Sequence, residues 1–200
     1  PGKPGSFLTN GAGRERDVEF TPFYRLHRRT YAVYWDLFTS NEWKEKEKQI
    51  AAEREAQREL EKATVAFAQP GEMQSERDFK QDGEDSEPHR LMGRAGRRGK
   101  NWFSFEMPVD EAQPAAAVAT YNTDEWRKRT FDISVDGKVI GQQVVEKDGK
   151  PPRFFDVRYS LPKELIAAKK KITLRFQATQ GSELACVFGI RTIREVEPSK

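Results

Sequence analysis

The chain has a single cysteine, Cys186, so no disulfide can form within it and a multi-cysteine metal site is excluded. Its surroundings, LACVFGI, are apolar, which predicts a buried and unreactive thiol. Only two histidines occur, His27 on an expected strand and His89 in a charged loop, and neither has a second ligand at metal spacing. No Gly-x-Ser-x-Gly motif is present. No apolar run approaches the roughly 18 residues that a membrane span needs. The opening PGKPGSFLTNGAG lacks a charged-then-apolar signal layout and reads as a cut inside a longer chain. Charge of one sign is also scarce. The 35 Lys and Arg nearly cancel the 32 Asp and Glu, leaving +3, so the pI near 9.0 reflects a mixed surface rather than a dedicated polyanion binder.

What the chain does have is alternation. An aromatic content of 11% argues against wholesale disorder even though 34% of residues are charged. In RTFDISVDGKVI, Arg129–Ile140, the apolar Phe131, Ile133 and Val135 alternate with Asp132, Ser134 and Asp136, and Asp136-Gly137 supplies a tight turn. Further short strands are predicted at Thr64–Gln69, Trp102–Met107, Val118–Tyr121, Arg153–Tyr159, Lys171–Ala178 and Leu184–Ile193. Pro162–Ala168 reads as one helical turn. The expected fold is mainly β, a β-sandwich or jelly roll over 63–195, with a tail at 196–200. Ahead of it, 1–13 is a flexible segment rich in Gly and Pro. Residues 14–40 are strands that end a preceding β-domain or pair with the sandwich. Tyr31–Phe38 is apolar on both faces. Asn41–Lys62 carries no Gly or Pro and is dense in Glu, Lys and Arg. It reads as a long solvated linker helix, capped by Ser40 or Asn41, with surface pairs Glu42–Lys46, Glu55–Arg58 and Glu59–Lys62. Trp43, Ile50 and Leu60 form its thin apolar stripe, and Trp43 is the expected anchor, lying against Tyr31–Phe38.

Candidate chemistry is sparse. Carboxylates are plentiful, but no spacing selects the pair that a glycosidase needs. The acidic stretch Glu72–Glu87 and the basic stretch His89–Lys100 read as adjacent loops that could pair with each other. The acids from Glu72 to Asp85 could hold a structural calcium through oxygen ligands, although they do not match an EF-hand loop. Gly93–Lys100, GRAGRRGK, resembles a phosphate loop in composition only, because Asn101 follows Lys100. Arg94, Arg97, Arg98 and Lys100, followed by Trp102 and Phe103, are a candidate nucleic-acid patch that the neighbouring acids disfavour. The loop Tyr121–Arg129, YNTDEWRKR, places Tyr121 and Trp126 beside Asn122, Asp124 and Glu125. Aromatic faces stack on sugar rings, and amides and carboxylates bind hydroxyls, so Tyr121, Asn122, Asp124 and Trp126, with Arg94 nearby, are the candidate saccharide residues.

The blocks FYRLHRRTYAVYWDLF, ATVAFAQPGEMQSERDFKQDGED, GRAGRRGKNWFSFEMPVD, TYNTDEWRKRTFDISVDGKVIG and FQATQGSELACVFGIRTIR resemble the C-terminal region of bacterial β-L-arabinofuranosidase-like enzymes, glycoside hydrolase family 127. The resemblance covers roughly residues 20–195. It implies a galactose-binding-like sandwich that follows a catalytic (α/α) barrel, whose zinc-held thiolate has no counterpart in this chain. The expected function is therefore a non-catalytic accessory module, structural and weakly binding a plant-type saccharide. Its partner would be the barrel of a periplasmic or secreted parent chain, with no membrane, no cofactor and no nucleic acid. The rival readings are a binder of nucleic acid or another anionic polymer through Arg94–Lys100, and a standalone hydrolase.

Overall fold

The computed structural model describes residues 5–10, 16–22 and 36–195. His27 and most of the predicted Tyr31–Phe38 strand lie outside them, and the described 36–38 are not in a strand. The chain forms two compact units, Pro1–Ala51 and Ala52–Lys200, whose boundary falls within one helix.

In the first unit β1 (Phe7–Leu8) and β2 (Glu19–Phe20) pair antiparallel. Helix α1 spans Ser40–Ala63. Its start is capped by neither Ser40 nor Asn41 but by the preceding Thr39. The Glu42 carboxylate accepts the Thr39 backbone N–H at 2.7 Å and its hydroxyl at 2.8 Å, while the Glu42 N–H donates back to Thr39 Oγ1 at 3.3 Å. This is a reciprocal capping box. It takes Glu42 away from the expected pairing with Lys46. The bonds from Thr39 also hold the Glu42 carboxyl below its ordinary value. Trp43 is 47% exposed, packs on Phe38 with ring centroids 5.9 Å apart and donates Nε1–H to Glu47 at 2.8 Å; most of the stretch it was expected to lie against falls outside the described residues.

The second unit is a mainly β sandwich of antiparallel sheets. β3 (Thr64–Ala68), β12 (Gly189–Arg194), β6 (Ala115–Asn122) and β9 (Phe154–Leu161) form a four-stranded sheet in that order. The second sheet runs β11 (Leu184–Val187), β5 (Arg94–Pro108), β10 (Lys171–Ala178), β7 (Arg129–Val135) and β8 (Lys138–Val145), with β4 (Asp82–Leu91) also pairing with β5. Short helices α2 (Met73–Asp78) and α3 (Lys163–Ile166) connect strands. Period-2 patterning explains the layering. Phe103, Phe105 and Met107 of β5, Phe131 and Ile133 of β7, and Leu174 and Phe176 of β10 all point into one core. They meet Ala115, Ala117, Ala119 and Tyr121 of β6 from the facing sheet. The outer face of β6 is not bare. Ala116 and Val118, with Ile193 of β12, are covered by Leu60 and Ala63 at the end of α1.

The central hairpin turns at Asp136 (φ 49°) and Gly137 (φ 85°), with Val135 opposite Lys138, as a two-residue turn requires. The acidic and basic stretches differ from their sequence reading as loops. They form α2 and a long hairpin, β4–β5, that turns at Met92-Gly93. Its charges pair with one another and with the α2 region: Arg98 with Glu87 across the hairpin at 2.7 Å, Arg97 with Glu76 of α2 at 2.7 Å and Arg90 with Glu72, just before α2, at 3.1 Å. Charge pairing across the hairpin and to α2 gives these polar residues a reason to be in a sheet that apolar alternation could not reveal.

Candidate functional site

The β4–β5 hairpin, the β6–β7 loop and the β10–β11 connection surround a cleft of about 660 Å³. One wall carries Asp85, Ser86, Glu87 and His89 of β4 with Arg98, Gly99 and Lys100 of β5. The opposite wall carries Asn122, Asp124, Glu125, Trp126 and Arg129. Glu183, Leu184, Cys186 and Phe188 close the floor and end.

In GRAGRRGK, Gly93 serves the turn at φ 80°, and Gly96 and Gly99 serve close packing. A Cβ on Gly96 would stand 2.7 Å from Cys186 Sγ and 2.9 Å from the Val187 carbonyl oxygen. A Cβ on Gly99 would stand 3.0 Å from the Asp85 carbonyl oxygen. Bare backbone here lets β4 and the region around β11 approach β5 closely.

Polar side chains in the cleft are fixed by neighbours. Asn122, 3% exposed, accepts the Asp124 N–H on Oδ1 at 2.8 Å and donates Nδ2–H to Met92 Sδ at 3.8 Å. This local side-chain turn sets the start of the β6–β7 loop. Arg129, at the first position of β7, donates to Glu125 at 3.3 Å and to Glu183. The other Glu125 oxygen accepts the Cys186 N–H at 3.3 Å. Burial lowers the pKa of His89, and the nearby Arg98 charge lowers it further, against the opposing charges of Glu125 and Glu87. It is therefore held toward the neutral form at neutral pH. Burial, reinforced by the Glu125 charge, pushes the Cys186 thiol far up, which is the reverse of an activated nucleophile.

The cleft includes three of the five candidate saccharide residues. Trp126, 71% exposed, stands on its rim, with Asn122 and Asp124 in its wall. Tyr121 is removed from the candidate set. It shares the inward parity of Ala115, Ala117 and Ala119, is fully buried, and its hydroxyl pairs with that of Tyr159 at 2.9 Å. Arg94 lies outside the lining, with its guanidinium 4.5 Å over the Phe154 ring. Sequence reasoning named Asp85, Arg98 and Lys100 of the β4–β5 wall only for calcium or an anionic polymer, and missed Ser86, Glu87, His89 and Glu183. The turn pair Met92-Gly93 between two charged runs was the signal for that hairpin. Of the acids proposed for calcium, Glu72 pairs with Arg90, Glu76 with Arg97 and Asp78 with Gln74, while Asp85 lines the cleft.

A sequence model described as a family of unknown function (DUF6805) matches residues 59–193. No curated protein matches the chain. Among solved structures, a family 35 carbohydrate-binding module from Clostridium thermocellum is 17% identical, with a TM-score of 0.47, covering 65% of this chain and 99% of its own. A family 35 module from an environmental isolate is 11% identical, with a TM-score of 0.48, covering 67% and 100%. A family 6 module from Clostridium stercorarium in complex with cellobiose is 16% identical, with a TM-score of 0.41, covering 65% and 94%.

Proposed function

The chain belongs to this family of unknown function (DUF6805), and we propose that it is a non-catalytic carbohydrate-binding module whose site is the cleft beside Trp126. The carrying observation is the exposed Trp126 ring at the rim of a cleft in which Asn122, Glu125, Arg98 and Arg129 are held by neighbours. The exposed edge and face of an indole suit the C–H face of a sugar ring, and side chains held by neighbours bind hydroxyls at low entropic cost. Charge selects the ligand class. Arg98 is held by Glu87, and Arg129 by Glu125 and Glu183. Five carboxylates line the cleft against three permanent cations. Such a site suits a neutral polyhydroxylated chain and disfavours a polyanion. The same pairing weakens the nucleic-acid reading, since Arg97 is committed to Glu76 inside the fold. The raised thiol pKa of Cys186 argues against a nucleophilic role.

The blocks of sequence resemblance support an accessory place in a larger glycoside hydrolase of the β-L-arabinofuranosidase type, beside an (α/α) barrel. The test is isothermal titration and affinity electrophoresis of the chain against neutral plant polysaccharides, with polygalacturonate and duplex DNA as anionic controls. Binding to a neutral glycan with little salt dependence is expected. Trp126→Ala should weaken it at least about tenfold, or about 1.4 kcal/mol. Full-strength binding by that variant, or a steep salt slope, overturns the assignment.

A further inference from the structure

We propose that Arg129 is the positioning residue of this cleft, a clamp that ties the two loops on either side of it and fixes the backbone from which Trp126 projects. The proposal rests on the binding function given above. Three observations meet at this one side chain. First, Arg129 is 8% exposed in an otherwise open, polar region, so its guanidinium is held and not merely resting on the surface. Second, its donors diverge. One goes to Glu125 in the β6–β7 loop and the other to Glu183 just before β11, two residues 58 positions apart in sequence (183 minus 125). Third, the clamp reaches the ligand platform. Glu125 is the chain neighbour of Trp126, its second oxygen holds the Cys186 N–H, and the Arg129 guanidinium carbon lies 5.6 Å from the Trp126 ring centroid.

The chemistry needs arginine. A planar guanidinium presents several N–H groups in fixed directions and can bridge two carboxylates at once, whereas a lysine ammonium is a point charge that follows one of them. Without the bridge, the β6–β7 loop would keep the Asn122 turn and the Thr123–Arg153 hydrogen bonds at its start, the Cys186 N–H on Glu125 and the strand pairing of β7 at its end, but Glu125 would lose its tie to Arg129 and through it to Glu183. Trp126, 71% exposed and packed mainly against Arg127 at 3.9 Å and Arg129, would then sample several orientations. A stacking platform that must be ordered on binding loses affinity for that reason.

The test compares Glu183→Ala with Arg129→Lys in the full chain. Glu183 lies in a connection with its side chain 43% exposed, so Glu183→Ala is expected to melt near the parent temperature. Amide exchange over 123–128 should speed up in both variants while Phe131–Val135 stays protected. Affinity for the best neutral glycan should fall about tenfold, or about 1.4 kcal/mol. Glu183→Gln, which keeps an acceptor, should recover part of the loss. Unchanged exchange over 123–128 in Glu183→Ala overturns the clamp. Faster exchange with undiminished affinity overturns its role in binding. If the parent chain binds none of the glycans, the binding function itself fails, and the exchange of 123–128 still decides whether the clamp exists.

Discussion

Two stretches of this chain are both rich in charge and behave in opposite ways. In α1 the ion pairs Glu45–Lys48, Glu55–Arg58 and Glu59–Lys62 run along one helix, with side chains 60–74% exposed. In the region from Glu72 to Lys100 the charges cross between elements. Arg97 and Glu76, 8% and 13% exposed, are sealed between α2 and β5. A pair three residues apart on a helix forms with or without tertiary structure and is worth little. A pair that joins a helix to a strand exists only in the folded state and excludes water. Charge density alone therefore does not separate a solvated surface from a structural joint.

The comparison is broken most directly at Glu76. Besides the two bonds from Arg97, at 2.7 and 2.8 Å, its carboxylate accepts the Gly71 N–H at 2.8 Å. Glu76→Ala should cost about 3 kcal/mol, because Arg97 is left buried with Ser86 as its remaining partner. Burial pushes the Glu76 carboxyl up, but the hydrogen bonds from Arg97 and Gly71 and the Arg97 charge outweigh it, so the pKa lies below its ordinary value. A lowered carboxyl pKa gives stability that is present above the unfolded value, roughly 4.3, and lost as pH falls through the folded one. In urea unfolding, the gap between the parent and Glu76→Gln should thus be widest near neutrality and shrink below about pH 4. A gap that does not change with pH would show that Glu76 acts through packing alone.

The next effect is at Gly96, where the same hairpin depends on the absence of a side chain. A methyl group there meets Cys186 Sγ at 2.7 Å, Phe188 Cδ1 at 2.8 Å and the backbone oxygen of Val187 at 2.9 Å. The Val187 carbonyl cannot rotate away without disturbing β11. Gly96→Ala should cost about 2 kcal/mol, the usual size of core overpacking. Gly93→Ala, at the open turn with φ 80°, meets no atom within 4 Å and tests turn strain without crowding.

Several sandwich strands were legible because their apolar residues alternate. Phe131, Ile133 and Val135 show this plainly, and the Asp136-Gly137 turn follows from residue chemistry alone. Leu184–Ile193, expected as one strand, instead divides into β11 and β12 in different sheets. The helix was legible from its unbroken run of good helix formers. The β4–β5 hairpin was not, because DGEDSEPHRL and RAGRRGK hold their place through charge pairs, one across the hairpin and others to the α2 region, and through bare glycines, which leave no hydrophobic period. The cleft was half legible. YNTDEWRKR announced Trp126, Asn122 and Asp124, but the opposite wall and Glu183 arrive from distant positions through strand order. Tyr121 was misplaced although its parity with Ala115, Ala117 and Ala119 placed it inward.

The smallest effects belong to α1, where neighbouring residues separate charge from contact. Leu60 and Ala63 pack on Ala116, Val118 and Ile193 of the outer sheet face, and Thr64 Oγ1–H donates to the Leu60 carbonyl at 2.6 Å. No residue of the helix is fully buried, so Leu60 forfeits only part of a leucine's transfer energy when truncated. Leu60→Ala should cost about 1 kcal/mol, below the 1.5–3 kcal/mol of a fully buried leucine. Glu59, one position away, pairs with Lys62 at 2.6 Å in full view of solvent. Replacing it by alanine removes a screened ion pair and inserts the best helix former, two changes of opposite sign. Urea midpoints should therefore separate Leu60→Ala clearly from the parent and leave Glu59→Ala on top of it. If Glu59→Ala proves the more damaging, the helix end is held by its charges, and the contrast between α1 and the β4–β5 hairpin collapses.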